Sequence, residues 1–351
     1  MQKGQKTLDE ISRQPFIFDA VWNDRDDIAS IFIGILEEYA PDEIIITGCG
    51  TSYYLSQAAA PVLAHFLRMP VKAVPSSELF LFTNTYLHGQ KVLLIAVSRS
   101  GQTTETVKAV RVLKEQPNVF ALAVSCYADS DLCHAADRYI ISSEAKEQSV
   151  VMTGSFSSML YILILAAFSA AKENALLKEA SRLASEAERL LPDMNDLAQT
   201  IMSSRSLSHF VYLGSGPNYG LSQEAMLKVK EMAIVTSEGY HAMEFRHGPK
   251  SIVNPNMLIS MFMSDDAIEY EMNLLEEIKG LGGVTLAICD GAGERVRPAS
   301  DYVMDIACGM SQWMRLPIYI IQAQLLAFYL ATSVKGIDPD SPQNLSQVVT
   351  L

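Results

Sequence analysis

GCGTSYYLSQAA (residues 48–59) and GSGPNYGLSQEA (residues 214–225) are two versions of one pattern. They coincide at Gly48/Gly214, Gly50/Gly216, Tyr53/Tyr219, Leu55/Leu221, Ser56/Ser222, Gln57/Gln223 and Ala59/Ala225, an offset of about 166 residues. The same offset brings Glu78 onto Glu244. Each glycine loop follows a short apolar run rich in β-formers, EIIIT or HFVYL, and precedes a helical pattern. Each copy therefore opens as strand, tight turn and helix, the start of a duplicated α/β domain.

Further apolar runs extend the pattern outward: KVLLIAV, VFALAVS and YIIS in the first half, then LISMFM, VTLAIC and YVMDI in the second. They alternate with amphipathic stretches such as TETVKAVRVLKEQ. Strands alternating with helices imply crossover connections, so each half is predicted to be a parallel sheet flanked by helices, a flavodoxin-like three-layer α/β/α arrangement. The halves are placed at residues 28–170 and 195–330. Between them ENALLKEASRLASEAERLLPDM reads as one long charged helix, and 331–351 as a Pro/Asp-punctuated tail.

Composition narrows the function. A formal charge of −13 and a pI near 4.9, with no run of Lys or Arg, exclude a nucleic-acid surface, which needs clustered cations. The five cysteines, Cys49, Cys126, Cys133, Cys289 and Cys308, are scattered and never spaced CxxC, so neither a disulfide framework nor a zinc site is indicated. The start MQKGQKTLDE lacks the apolar stretch of a signal peptide, and the runs at 159–168 and 316–332 are short for a membrane span. A cytoplasmic protein with no nucleic-acid or membrane partner is expected.

In open α/β sheets ligands sit beyond the carboxyl ends of the strands, where glycine allows close approach and helix N-termini present N–H groups. VLLIAVSRSGQTTETVKAV has that form: a strand over 92–97 runs into Ser98, Arg99, Ser100, Gly101, Gln102 and Thr103, with a helix predicted from Thr103 or Thr104. Hydroxyls, turn amides and one guanidinium meet the needs of a phosphomonoester, although Ser and Thr here also suit ordinary helix capping. The repeat bears on the choice, because the equivalent stretch in the second half is MSDDAIEYE, acidic and without glycine. Thr51 and Ser52 begin the other helix of the first half; their twins are Pro217 and Asn218.

GCGTS, SRSGQTTET, the paired halves and EFRHGPKS together resemble the double SIS (sugar isomerase) family: the isomerase half of glutamine–fructose-6-phosphate aminotransferase and, more closely, AgaS-type phosphosugar isomerase/deaminases. The resemblance implies two tandem SIS domains, a sugar 6-phosphate substrate, no cofactor or metal, and a homodimer. It implies phosphate ligands at Ser52, Ser98, Ser100 and Thr103, with Arg99 where the synthase often has glutamine; Thr51 in the glycine loop and Gln102 in the serine loop are further candidate contacts read from the residues themselves. It implies sugar-lining positions at Glu147 and Val150, a proton-shuttling base at Glu231 with Lys228 beside it, and a ring-opening His247 donated across the dimer interface. A carboxylate can carry a proton between adjacent carbons in both directions, and histidine exchanges protons near neutral pH. Without the resemblance, Glu231 reads equally as a solvated ion-pair partner and His247 as a turn residue.

Two departures redirect the chemistry. Gln347, in NLSQVVT, stands where the synthase has a lysine that reaches the sugar, and glutamine cannot form an imine. Only about 45 residues precede the first glycine loop, too few for a glutaminase domain. Deamination of a glucosamine-6-phosphate-type substrate is therefore expected, with a fructosamine-6-phosphate deglycase and a non-catalytic sugar-phosphate-binding protein as alternatives.

Overall fold

The structure, a computed structural model, describes residues 3–346. The chain forms two compact units. The first comprises Arg13–Gln148 with Gly154–Ala184; the second comprises the N-terminal residues through Ser12, Ser149–Thr153 and Ser185–Leu345.

In the first unit β1 (Glu43–Gly48), β2 (Val71–Pro75), β3 (Val92–Ser98), β4 (Val119–Ser125) and β5 (Arg138–Ile141) pair in parallel in the order β2-β1-β3-β4-β5. Side chains alternate across a strand, so Ile45, Leu94, Ala96, Ala121 and Ala123 face one way, against Val107, Val110 and Leu113 of the helix Thr104–Leu113. Their neighbours Ile44, Ile46, Leu93, Ile95, Leu122 and Val124 face the other way and are equally buried. On that side lie the helices Arg25–Tyr39, Thr51–Leu67 and Gly154–Ala170, packed on one another. A sheet covered on both faces needs strands that are apolar throughout, which is why the runs read as continuous rather than alternating.

The second unit repeats the plan. β6 (His209–Gly214), β7 (Ser237–His241), β8 (Met257–Phe262), β9 (Val284–Cys289) and β10 (Tyr302–Asp305) are parallel in the order β7-β6-β8-β9-β10, the same topology strand for strand. The duplication reaches single hydrogen bonds: the Ala121 N–H donates to Asp137 at 2.8 Å, and the Thr285 N–H donates to Asp301 at 2.9 Å. Lys114 and Lys279 flank the same two aspartates.

The structure differs from the sequence reading in three places. The charged connector is two helices, Asn174–Ala180 and Leu183–Ser204, separated at Ser181 and Arg182, where the Arg182 N–H bonds the Glu179 carbonyl three residues back at 3.0 Å. The edge strands β2 and β7 are additional to the six runs identified beyond β1 and β6. Leu316–Lys335 is long and apolar enough to cross a membrane, contrary to the expectation from the run at 316–332, but 78% of its apolar window is buried inside the protein. It is a core helix of the second unit.

The described part of the tail is anchored within that unit. Asp338 accepts the Gly4 N–H at 2.8 Å, and Asp340 accepts the N–H and hydroxyl of Thr7 at 2.9 and 2.7 Å.

The glycine loops are sterically tight at their first position. A Cβ on Gly214 would lie 2.2 Å from the Asn218 carbonyl oxygen, backbone that cannot swing aside. Gly34, inside Arg25–Tyr39, has nothing within 4 Å of its would-be Cβ. Gly214→Ala is therefore expected to cost at least about 2 kcal/mol, whereas Gly34→Ala gains about 0.5–1 kcal/mol from helix propensity. Thermal melting of the two variants checks the contrast.

Candidate active site

In both sheets the strand order reverses beside the first strand, and the crevice beyond the carboxyl ends there is where an open α/β sheet binds ligands. In the first unit two loops reach that place. Ser98 ends β3, and its hydroxyl accepts the Gly101 N–H at 3.2 Å and lies 3.1 Å from the Thr103 hydroxyl. Ser100 accepts the Gln102 N–H at 3.1 Å. Gly101 has φ +63°, and a Cβ there would lie 2.5 Å from the Ser130 Cβ, so the turn requires glycine. Thr103 precedes the helix Thr104–Leu113 without capping it, its hydroxyl turned to Ser98 instead.

The other loop places Thr51 and Ser52, both buried, at the start of Thr51–Leu67. A chain of hydroxyls joins the two loops from below. Thr47 bonds the Val74 carbonyl and lies 3.1 Å from Ser76; Ser76 lies 3.1 Å from Thr106; Thr106 lies 3.6 Å from the Cys49 thiol. Thus Thr51, Ser52, Ser98, Ser100, Gln102 and Thr103 stand on two linked loops at the reversal point.

Arg99 and Glu147 are brought together with each other. The guanidinium lies 3.2 Å from the carboxylate, with side chains 6% and 1% exposed. Glu147 also accepts the N–H and hydroxyl of Ser155 at 3.1 and 2.5 Å. Val150 is half-buried and belongs to the second unit, and Gln347 lies outside the described residues.

The equivalent crevice of the second unit is closed by its own groups. Asn218, twin of Ser52, donates its amide to the Phe262 and Met263 carbonyls. Ser264, twin of Ser98, donates its N–H and hydroxyl to Glu271 at 2.8 and 3.1 Å. Burial raises the pKa of Glu271, and these bonds from Ser264 oppose the rise. An internal carboxylate thus occupies donors that the first unit leaves on a hydroxyl loop.

The helix Asn218–Ala233 carries the second unit's charged group. Lys228 is fully buried; its ammonium lies 2.6 Å from Glu231 and 3.1 Å from Glu224. Burial alone pushes its pKa down, but the two carboxylates outweigh burial and leave it raised, so the lysine is a cation. Glu224 is itself fully buried, whereas the Glu231 side chain is 19% exposed, the one acid of the trio with access to a ligand. Glu224 escaped the sequence reading, yet a signal existed: it replaces Ala58 inside the otherwise identical runs LSQAA (55–59) and LSQEA (221–225), four residues before a lysine.

His247 lies on an exposed turn after Ala242–Phe245, its N–H donating to the Glu244 carbonyl at 3.0 Å. The basic residues on either side are both held by Glu277, Arg246 at 3.0 Å and Lys250 through a second short contact. The hydrogen bond from Lys250 leads the causes that lower the Glu277 pKa. The turn is therefore clamped with the imidazole outermost. His241 ends β7 beside Tyr219, with ring centroids 6.2 Å apart, and its Nδ1 is buried without a hydrogen-bond partner among the described residues.

Lys228→Met should destabilise the protein by about 3–5 kcal/mol, because it leaves Glu224 charged and buried without its cation. The sign of the pH dependence follows from the raised pKa: this stabilisation is complete below the ordinary lysine pKa and is lost only as pH rises through the higher folded-state value. Melting curves from pH 6 to 11 should therefore show the gap between wild type and variant narrowing only at the alkaline end.

Comparison with known proteins places this arrangement. The SIS domain model matches residues 39–170 and again 205–334. An isomerizing glutamine–fructose-6-phosphate aminotransferase from Caulobacter vibrioides is 30% identical over 323 residues, 88% of this chain and 52% of that protein. The chain thus spans about half the length of the curated relatives it matches. Among solved structures, a glucosamine-6-phosphate deaminase from Thermotoga maritima aligns with a TM-score of 0.79 at 29% identity, covering 99% of this chain and 100% of that one. A tagatose-6-phosphate ketose/aldose isomerase from Escherichia coli aligns with a TM-score of 0.86 at 25% identity, covering 96% and 95%. With both halves matched by the same domain model, the chain belongs to the SIS domain family.

Proposed function

We propose that this protein is a phosphosugar aldose–ketose isomerase and deaminase, converting an amino-sugar 6-phosphate of the glucosamine-6-phosphate type, with water, into the ketose 6-phosphate and ammonia. The observation that carries this reading is the Lys228–Glu231 pair: a partly accessible carboxylate with a buried cation 2.6 Å away. A proton carrier between C1 and C2 must take a proton, hold it and return it. A fixed ammonium beside it can steady the enolate oxygen that forms on proton loss.

The remaining roles follow the chemistry of each loop. Ser98, Ser100, Thr103, Thr51 and Ser52 offer hydroxyls and turn amides to the phosphate, with Gln102 at the rim, and Val150 lines the sugar. His247, outermost on its clamped turn, opens the sugar ring of a neighbouring copy in a homodimer. After the C2 proton has moved, the amine-bearing carbon is a ketimine, and water adds to it and releases ammonia. The full-length likeness to the Thermotoga maritima deaminase supports this outcome. The likeness to the Escherichia coli isomerase favours a second reading, interconversion of a ketose and an aldose phosphate with no loss of nitrogen.

A panel of hexosamine, fructosamine and ketose 6-phosphates, read for ammonia, free amino acid and sugar product, separates these outcomes. Ammonia from glucosamine 6-phosphate is expected, and ketose–aldose exchange alone would favour the second reading. Glu231→Gln should lower kcat by at least about a thousandfold while binding stays within a few-fold, because the carboxylate acts in the transition state and the phosphate supplies much of the affinity. Co-expressed Glu231→Gln and His247→Ala chains, each inactive alone, should regain activity when mixed dimers form. Persistent inactivity of the mixture would place His247 in its own chain's reaction.

A further inference from the structure

Arg99 and Asp265 are equivalent positions, each one residue beyond the twinned serines Ser98 and Ser264, and each enters an ion pair that reaches the last long helix of its own unit. In the first unit Arg99 pairs with Glu147, which holds the N–H and hydroxyl of Ser155 in the first turn of Gly154–Ala170. In the second unit the charges are exchanged. Asp265 lies 2.5 Å from the guanidinium of Arg315, the residue immediately before the matching helix Leu316–Tyr329, with Asp290 at 3.6 Å from the same group. Both arginines are buried, their side chains 6% and 2% exposed.

Burying a guanidinium is costly, yet each unit carries an ion pair from the same loop position towards its last long helix, so the link is common to both units. Its sign is not, because the two units use opposite signs. The sign instead follows the surrounding loop. Arg99 is accompanied by Ser98, Ser100, Gly101 and Thr103; Asp265 is accompanied by Asp266, Glu269 and the buried Glu271. We propose that Arg99 and Glu147 form a positioning pair whose polarity reserves the anion for the first unit. Glu147 holds the guanidinium back from the ligand and ties the loop to the helix, while the positive end of the pair stays on the hydroxyl loop and offsets the charge of a phosphate. This rests on the reading that the Ser98–Thr103 loop takes the substrate's phosphate.

The test exchanges the charges. The double variant Arg99→Asp/Glu147→Arg reproduces the second unit's polarity, and Arg99→Met leaves Glu147 without its cation. Melting temperature and calorimetric affinity for inorganic phosphate and fructose 6-phosphate are measured on the full chain. The exchanged variant gives up the two Ser155 bonds that Glu147 accepts, so it should melt below wild type but above Arg99→Met, while its affinity for both probes falls by at least about a hundredfold, since a carboxylate then faces the anion. Unchanged affinity in the exchanged variant overturns the polarity claim. An exchanged variant that melts no higher than Arg99→Met overturns the claim that the two bridges are one device. Wild-type protein that binds neither probe sinks the phosphate reading and the polarity claim with it, while the melting series, which needs no ligand, still decides the bridge.

Discussion

A parallel sheet whose strand order reverses leaves a gap that no crossover connection covers, and both sheets of this protein do so beside their first strand. Backbone donors at the strand ends and at the following helices must find acceptors there, because buried N–H groups left unpaired are costly. The two units meet this constraint differently. The second supplies acceptors of its own, with Glu271 taking the donors of Ser264 and Asn218 turned to carbonyls. The first lines the gap with hydroxyls that bond to one another and to turn amides, an arrangement able to exchange those bonds for a ligand's oxygens.

Charge is organised on the same principle. A chain of net charge −13 presents a repulsive field to any sugar phosphate, so attraction must be local. The buried cations Arg99 and Lys228 are themselves paired with carboxylates. Arg99 is balanced by Glu147, and Lys228 by Glu224 and Glu231, so each cation is held where water cannot reach it and its position is fixed by more than one contact. In the Lys228 trio, full burial of Glu224 makes it a structural counter-ion and leaves Glu231 the more exposed of the two acids. The clamp of Glu277 on Arg246 and Lys250 is the surface counterpart, holding a turn so that its one imidazole projects.

Much of the fold was legible because the central strands are buried on both faces and so appear as unbroken apolar runs. The edge strands β2 and β7 were not, for the opposite reason: VKAVP and SEGYH are short and partly exposed, and polarity tolerated at an edge removes the signal. The split in the connector was hidden because its composition suits a helix throughout, and the interruption lies in backbone bonding, with the Arg182 N–H turned to the Glu179 carbonyl.

By itself the sequence determined the duplication, the strand–turn–helix grammar of each half, and the asymmetry between a hydroxyl loop and an acidic one, since all three are written in neighbouring residues and their repeat. Tertiary structure alone decided that Arg99 faces Glu147 rather than standing open, that Glu271 fills the second crevice, and that Lys228 is enclosed between two carboxylates. Periodicity reports which face of an element is apolar, but the partner of a buried charge depends on which distant segments exclude water around it, and that is settled only when the layers pack.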